Sequence, residues 1–449
     1  MKKLFLIKIL PFKIILFYLV FLLCFSRVIL VSAVIQKIIV IFLIFISFLC
    51  NFNVYKKSLP FLILLLVYLL FITVSAATHY TSGVDIVMAV HSFVLVLIFY
   101  LWVSTFVIEE SNYNELSNFF YFIVYSQLVF SFIKFFLVGV DEYYLIGTMS
   151  HQAGQLSFLF PAIVIPLVVF IEREYKHALF LIFLLMLFSI IGEKRSAVFV
   201  LPVVMIFSYV FINGGFNYKG LKLFNIIPII LVSLTILYLG IKFIPSLNEE
   251  EVSGGDVSLG YAINYAKDYL TMDGSSKLQS NFTEIAVNTN VQYGRITLLL
   301  KICEWLRLND LNTLFFGIGY GLATPNEWIV EGRDNLFNVT GLRGAVSGFG
   351  LVLVETGVVG AMLVSYLFFY LFFKLVNEWR RAKSNSVRRW FKTLISINFV
   401  FLFDFYFYSM SLLRTFPLPL IFSGLVASIF IAKRLDKKIA RRNHASTMY

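Results

Sequence analysis

The chain has 449 residues, of which 60% are hydrophobic, 18% aromatic and only 14% charged, with a net charge of +12. Soluble domains carry about 25% charged residues, so there is too little polar surface here to clothe soluble domains of this length. A soluble enzyme, a disordered regulator and a secreted disulfide scaffold are excluded, and the composition reads as an all-α polytopic membrane protein.

A spanning helix needs about 20 mostly apolar residues. Taken in order, the apolar runs predict about twelve spans: 9–26, 31–50, 59–78, 84–108, 118–140, 156–171, 178–192, 196–212, 223–244, 348–373, 393–413 and 415–432. Met1-Lys2-Lys3 ahead of an apolar run mimics a signal peptide, but no small-residue cleavage site follows, so a retained first span is expected. The positive excess is concentrated in two segments, 374–392 and 433–449, both abutting apolar spans. By the positive-inside rule these are cytoplasmic anchors rather than a nucleic-acid surface, and an even span count puts both termini in the cytoplasm. Residues 374–392 and the 172–177 link are then cytoplasmic loops.

The expected organisation is spans one to nine over 1–244, a large outward loop over 245–347, spans ten to twelve over 348–432, and a basic cytoplasmic tail over 433–449. The loop is net acidic and is the one soluble-looking part of the chain. No internal repeat is evident, which weighs against transporter folds built from duplicated halves.

Charges inside apolar spans cost roughly 2.5–3.5 kcal/mol each at the helix centre. Lys134 and Lys242 lie near span ends and can snorkel. Asp404 cannot easily do so; Glu355 is a further candidate, and His91 and Gln127 are weaker ones. Asp404 reads equally as a functional group or a helix-pairing group.

The sharpest exception is the stretch 188–203, where Glu193, Lys194 and Arg195 form a charged knot with almost no loop around it. The topology places these two cations outside, where positive residues are depleted. An arginine held there is suited to fork onto a lipid phosphate or diphosphate. Residues 293–308 predict an amphipathic helix in which Thr297, Lys301, Glu304 and Arg307 fall roughly 120–240° away from Arg295. Arg295 therefore points to the apolar side and needs a carboxylate or phosphate partner.

Gly317, Gly319 and Gly321 follow, without the strand–turn–helix context of a nucleotide loop, and are better suited to a turn or close backbone approach. Cys24, Cys50 and Cys303 show no CxxC or metal spacing. With no DxD-like pair or HExxH motif either, no motif supports a metal-dependent mechanism or a resident cofactor.

Residues 147–167, 192–203, 293–321 and 350–364 together resemble the O-antigen polymerase / O-antigen ligase (Wzy–WaaL) group of polysaccharide-assembling membrane proteins. The likeness is one of order, spacing and topology over about 140–375. It implies a metal-independent GT-C-type glycosyltransferase of the bacterial inner membrane, acting on its outer face in lipopolysaccharide or capsule biosynthesis. Donor and acceptor would both be undecaprenyl-diphosphate-linked oligosaccharides, with membrane lipids and a chain-length regulator as candidate partners and no nucleic acid.

The resemblance maps the two functional arginines on Arg195 and Arg295. Lys194, Glu193, Arg343 and Glu355 become substrate-binding candidates, with Gly357 and Gly360 as the glycine pair of the re-entry span. Val346 stands where ligases carry a histidine ahead of the span glutamate, so the polymerase branch is favoured over a ligase, while the single long outer loop argues against a lipid-linked oligosaccharide flippase. His151 is the candidate general base, because imidazole titrates near neutrality.

Overall fold

The computed structural model describes residues 59–79, 111–138, 164–172, 174–191, 195–213, 227–244, 254–271, 292–320 and 346–407, with scattered positions between them. The spans expected at 9–26 and 415–432, that at 31–50 apart from Phe42, the basic tail, His151, Glu193 and Lys194 lie outside the described residues.

The described chain is helical apart from one two-residue strand pairing. In order it runs α1 (Leu59–His79), α2 (Ser111–Val138), a π-helical turn (Val168–Glu172), α3 (Tyr175–Ile191), α4 (Arg195–Asn213), α5 (Ile227–Phe243) and α6 (Leu259–Thr271). There follow β1 (Gln292–Tyr293), α7 (Arg295–Leu308), α8 (Leu311–Phe316), β2 (Arg343–Gly344), α9 (Gly348–Arg381) and α10 (Asn385–Phe407). Among the described residues three helices, α1, α9 and α10, are long and apolar enough to cross a membrane. Shorter apolar helices lie within α2, α3, α4 and α5.

These helices are apolar almost all round, which suits a helix with protein on one side and lipid on the other. In α1, Leu65, Tyr68, Ile72 and Ala76 are buried at helical spacing, whereas Ile63, Leu66, Leu70 and Val74 face outward. The main core joins α9 to α10, α8, α1 and α7. A second cluster joins α3, α4 and α5 around Ile182, Val198, Leu201 and Ile236. There a Cβ on Gly240 would lie 2.5 Å from Val198 Cγ1, so the missing side chain lets α4 and α5 approach closely.

Two sequence expectations are corrected. The re-entry span is not one continuous helix over 348–373: α9 breaks at Gly357, with φ 63° and ψ −168°, and runs on to Arg381. The stretch beyond the break is roughly 36 Å long at about 1.5 Å per residue, enough by itself to span a bilayer. Nor is 374–392 a loop. Apart from Lys383, its basic residues sit on the end of α9 and the start of α10, which are joined through Ala382, Lys383 and Ser384. Helix continues there because the charges find local partners. Lys374 Nζ donates to Tyr370 Oη at 3.0 Å, Arg388 Nη2 donates to the Ala382 carbonyl at 2.9 Å, and Lys392 Nζ lies 5.6 Å from the Trp379 ring centre.

Candidate functional site

Helix α7 opens at Arg295 behind the N-cap Gly294, and Leu298 N donates to the Gly294 carbonyl at 2.7 Å. Its buried face is Arg295, Leu298, Ile302 and Leu306. This is the face predicted from the polar stripe, and Arg295 is only 8% exposed. On the opposite side Lys301 and Glu304 pair at 2.9 Å in solvent. Their hydrogen bond holds the Glu304 carboxyl below its ordinary range and the Lys301 ammonium above it.

Arg195 is the first described residue of α4, and its side chain lies outside the described set. Arg295 begins its helix. A cation there opposes the helix dipole, but the unsatisfied amides of a first turn and a guanidinium together suit an anion.

The parallel pairing of β1 with β2 sets Gln292 beside Arg343 and Tyr293 beside Gly344. It brings the backbone of Arg343 close to the start of α7, where the trailing end of the loop returns to the leading end. Ser347 then caps α9, its Oγ accepting from Gly350 N at 3.1 Å. Glu355 follows in the first half of α9 and is 1% exposed.

The break in α9 leaves carbonyls without helical partners, which is tolerable at membrane depth only if protein satisfies them. The glycine-rich turn after α8 does so. Ile318 N donates to the Val354 carbonyl and Gly319 N to the Glu355 carbonyl, both at 3.0 Å. Ser75 Oγ of α1 adds bonds to the Phe316 and Glu355 carbonyls at 3.3 and 3.5 Å. Gly317 and Gly319 adopt φ of 74° and 111°, confirming the expected turn and close approach. Gly321 lies outside the described residues.

An apolar cleft of about 430 Å³ opens beside this junction, lined by Cys303, Leu306, Leu314, Leu353, Val358 and Met362 among others. Leu306 lies on the same face of α7 as Arg295, roughly 16 Å along the helix at about 1.5 Å per residue. Apolar wall and cationic helix start are thus parts of one helix. Asp404 is fully buried in α10. Lys242 lies in the last turn of α5 with Nζ 5.9 Å from the Tyr238 ring centre, in keeping with a snorkelling side chain.

Sequence reasoning missed two features. Ser75 gave no signal, because nothing in α1 indicates a partner in residues 316–355. Glu172, Glu174 and His177 did give one, as an acid–acid–histidine spacing within a link read only as cytoplasmic. No family model matches the chain, and no curated protein matches it.

Proposed function

We propose that this protein is a polysaccharide polymerase of the O-antigen or capsule kind, transferring a growing undecaprenyl-diphosphate-linked glycan onto a lipid-linked repeat unit at the outer face of the inner membrane. The observation that supports it best is that Arg295 opens α7 on that helix's buried face. Its guanidinium and the first-turn amides suit a diphosphate, with Arg195 of α4 as the proposed second cation. The cleft beside α7 offers an apolar wall to the isoprenoid chain.

In the proposed reaction an acceptor hydroxyl attacks the anomeric carbon of the donor's first sugar. The bond from that carbon to the phosphate oxygen breaks, and undecaprenyl diphosphate leaves with the electron pair. Arg195 and Arg295 stabilise the charge that develops on the leaving oxygen. The hydroxyl proton passes to a general base, for which His151 is the candidate. Glu193, Lys194, Arg343 and Glu355 are the proposed substrate-binding residues around the two arginines.

The test is reconstitution of the purified protein with lipid-linked repeat units. A ladder of lengths supports the polymerase reading. A single transfer to a non-repeat acceptor would indicate a ligase, and units crossing the bilayer unchanged would indicate a transporter.

A further inference from the structure

A second cluster of ionisable groups lies at the other end of α3 from Arg195. The chain leaves the π turn at Glu172, and the Glu174 carbonyl accepts from Ala178 N at 3.0 Å as α3 begins. One ligand atom from each of Glu172, Glu174 and His177 lies within 4.8 Å of the others. His177 Nδ1 is 3.9 Å from Glu174 Oε2.

Two tyrosines of α2 fix this corner. Tyr121 Oη donates to Glu172 Oε2 at 2.9 Å, and the Tyr125 hydroxyl pairs with His177 Nε2. Both rings stack on the imidazole, at centroid distances of 5.0 and 6.0 Å and interplanar angles of 20° and 11°. The ring is thus held in place with Nε2 on a phenol and Nδ1 toward the Glu174 carboxylate. A metal-ligating histidine is ordinarily oriented in this way, by a partner on its second nitrogen.

We propose that Glu172, Glu174 and His177 bind one first-row divalent transition metal. Two carboxylates balance the charge of the ion, and the imidazole favours Zn²⁺ over Mg²⁺ or Ca²⁺, which take oxygen donors. Three protein ligands leave the fourth position of a tetrahedron to water. Tetrahedral ligands at about 2.1 Å from zinc stand about 3.4 Å apart, so the site closes by roughly an ångström on binding. Rotation of Glu174, whose side chain is 64% exposed, supplies that movement. The bound ion ties the π turn to α3, and through Tyr121 and Tyr125 to α2. Roughly 25 Å of helix at about 1.5 Å per residue separates it from the start of α4, so it takes no part in glycan transfer.

The experiment uses the full-length protein in detergent, purified without a histidine tag and stripped with chelator. Zn²⁺ is titrated calorimetrically, and bound zinc is counted after dialysis. One Zn²⁺ per chain is expected, with a rise in melting temperature. His177→Gln and Glu172→Gln should each abolish retention, and Tyr125→Phe should weaken binding about 10–100-fold while keeping the stoichiometry. If wild type retains no more zinc than a Glu172→Gln/Glu174→Gln/His177→Gln triple variant, the corner is an ordinary histidine–carboxylate pair and the proposal falls. Equal binding of Mg²⁺ by wild type and His177→Gln would overturn it too, since imidazole ligation would then be irrelevant.

Discussion

Gly317 and Gly357 each lie against the peptide bond that precedes the other by one residue. A Cβ on Gly317 would stand 2.4 Å from the Glu355 carbonyl carbon, and one on Gly357 would stand 2.4 Å from that of Phe315. Both have positive φ. The end of α8 and the break in α9 therefore form one joint that admits no side chain on either face.

Alanine at either glycine should be costly, because the strain of a positive φ adds to a backbone clash that cannot relax by side-chain rotation. Each of Gly317→Ala and Gly357→Ala is expected to destabilise by about 1–3 kcal/mol or more. Thermal unfolding in detergent checks this. Since both act on one joint, the double variant should lose less than the sum of the singles.

Arg295→Ala and Arg195→Ala should each reduce chain growth about 100–1000-fold, the range for losing one group that stabilises developing charge. Membrane levels should stay near normal. Lysine in either position should restore only part of the rate, because an ammonium cannot form the bidentate fork. Glu304→Gln, on the solvated face of the same helix, should leave the ladder unchanged. Gel analysis of lipid-linked products reads all of these, and near-normal ladders from both alanine variants would remove the site assignment.

Asn248→Ala should loosen the entry to the large loop. The buried Asn248 amide donates to the Val252 carbonyl at 2.8 Å, with longer contacts to the carbonyls of Ile241 and Ile244, and accepts from Val252 N at 3.2 Å. Losing the side chain leaves those groups underused at a cost of about 1–3 kcal/mol. A lower melting temperature and faster proteolysis near residue 250 are the expected signs.

Orientation is tested by Lys267→Cys on a Cys303→Ser background, Lys267 being exposed on α6. The new thiol should react with a membrane-impermeant maleimide in intact cells whose outer barrier has been permeabilised. Labelling that needs lysis of the inner membrane would reverse the topology.

Much of the candidate site's local order was legible in the sequence. The polar stripe of 293–308 placed Arg295 on the buried face of α7, because helical periodicity is a property of neighbouring residues. The apolar runs likewise located α1, α9 and α10. Where the reading failed, the deciding partner was remote. Gly357 reads as one glycine in an apolar span, and its positive φ makes sense only against Phe315 and Phe316. The basic residues of 374–392 resembled a loop because their partners, Tyr370, Trp379 and the Ala382 carbonyl, carry no charge to announce the pairing.

Low charge content by itself determined the class of this protein, since 14% charged residues cannot cover soluble domains and long apolar runs must be buried in protein or lipid. The sequence also determined which face of α7 is buried. Only the tertiary structure decided that α9 breaks, that the turn after α8 and Ser75 satisfy the carbonyls freed there, and that Glu172, Glu174 and His177 meet beneath two tyrosines of α2. The physical reason is the same in each case. A helix's pattern is local, whereas a hydrogen bond to a broken span or a cluster at a corner joins residues far apart in the chain, and only packing brings them together.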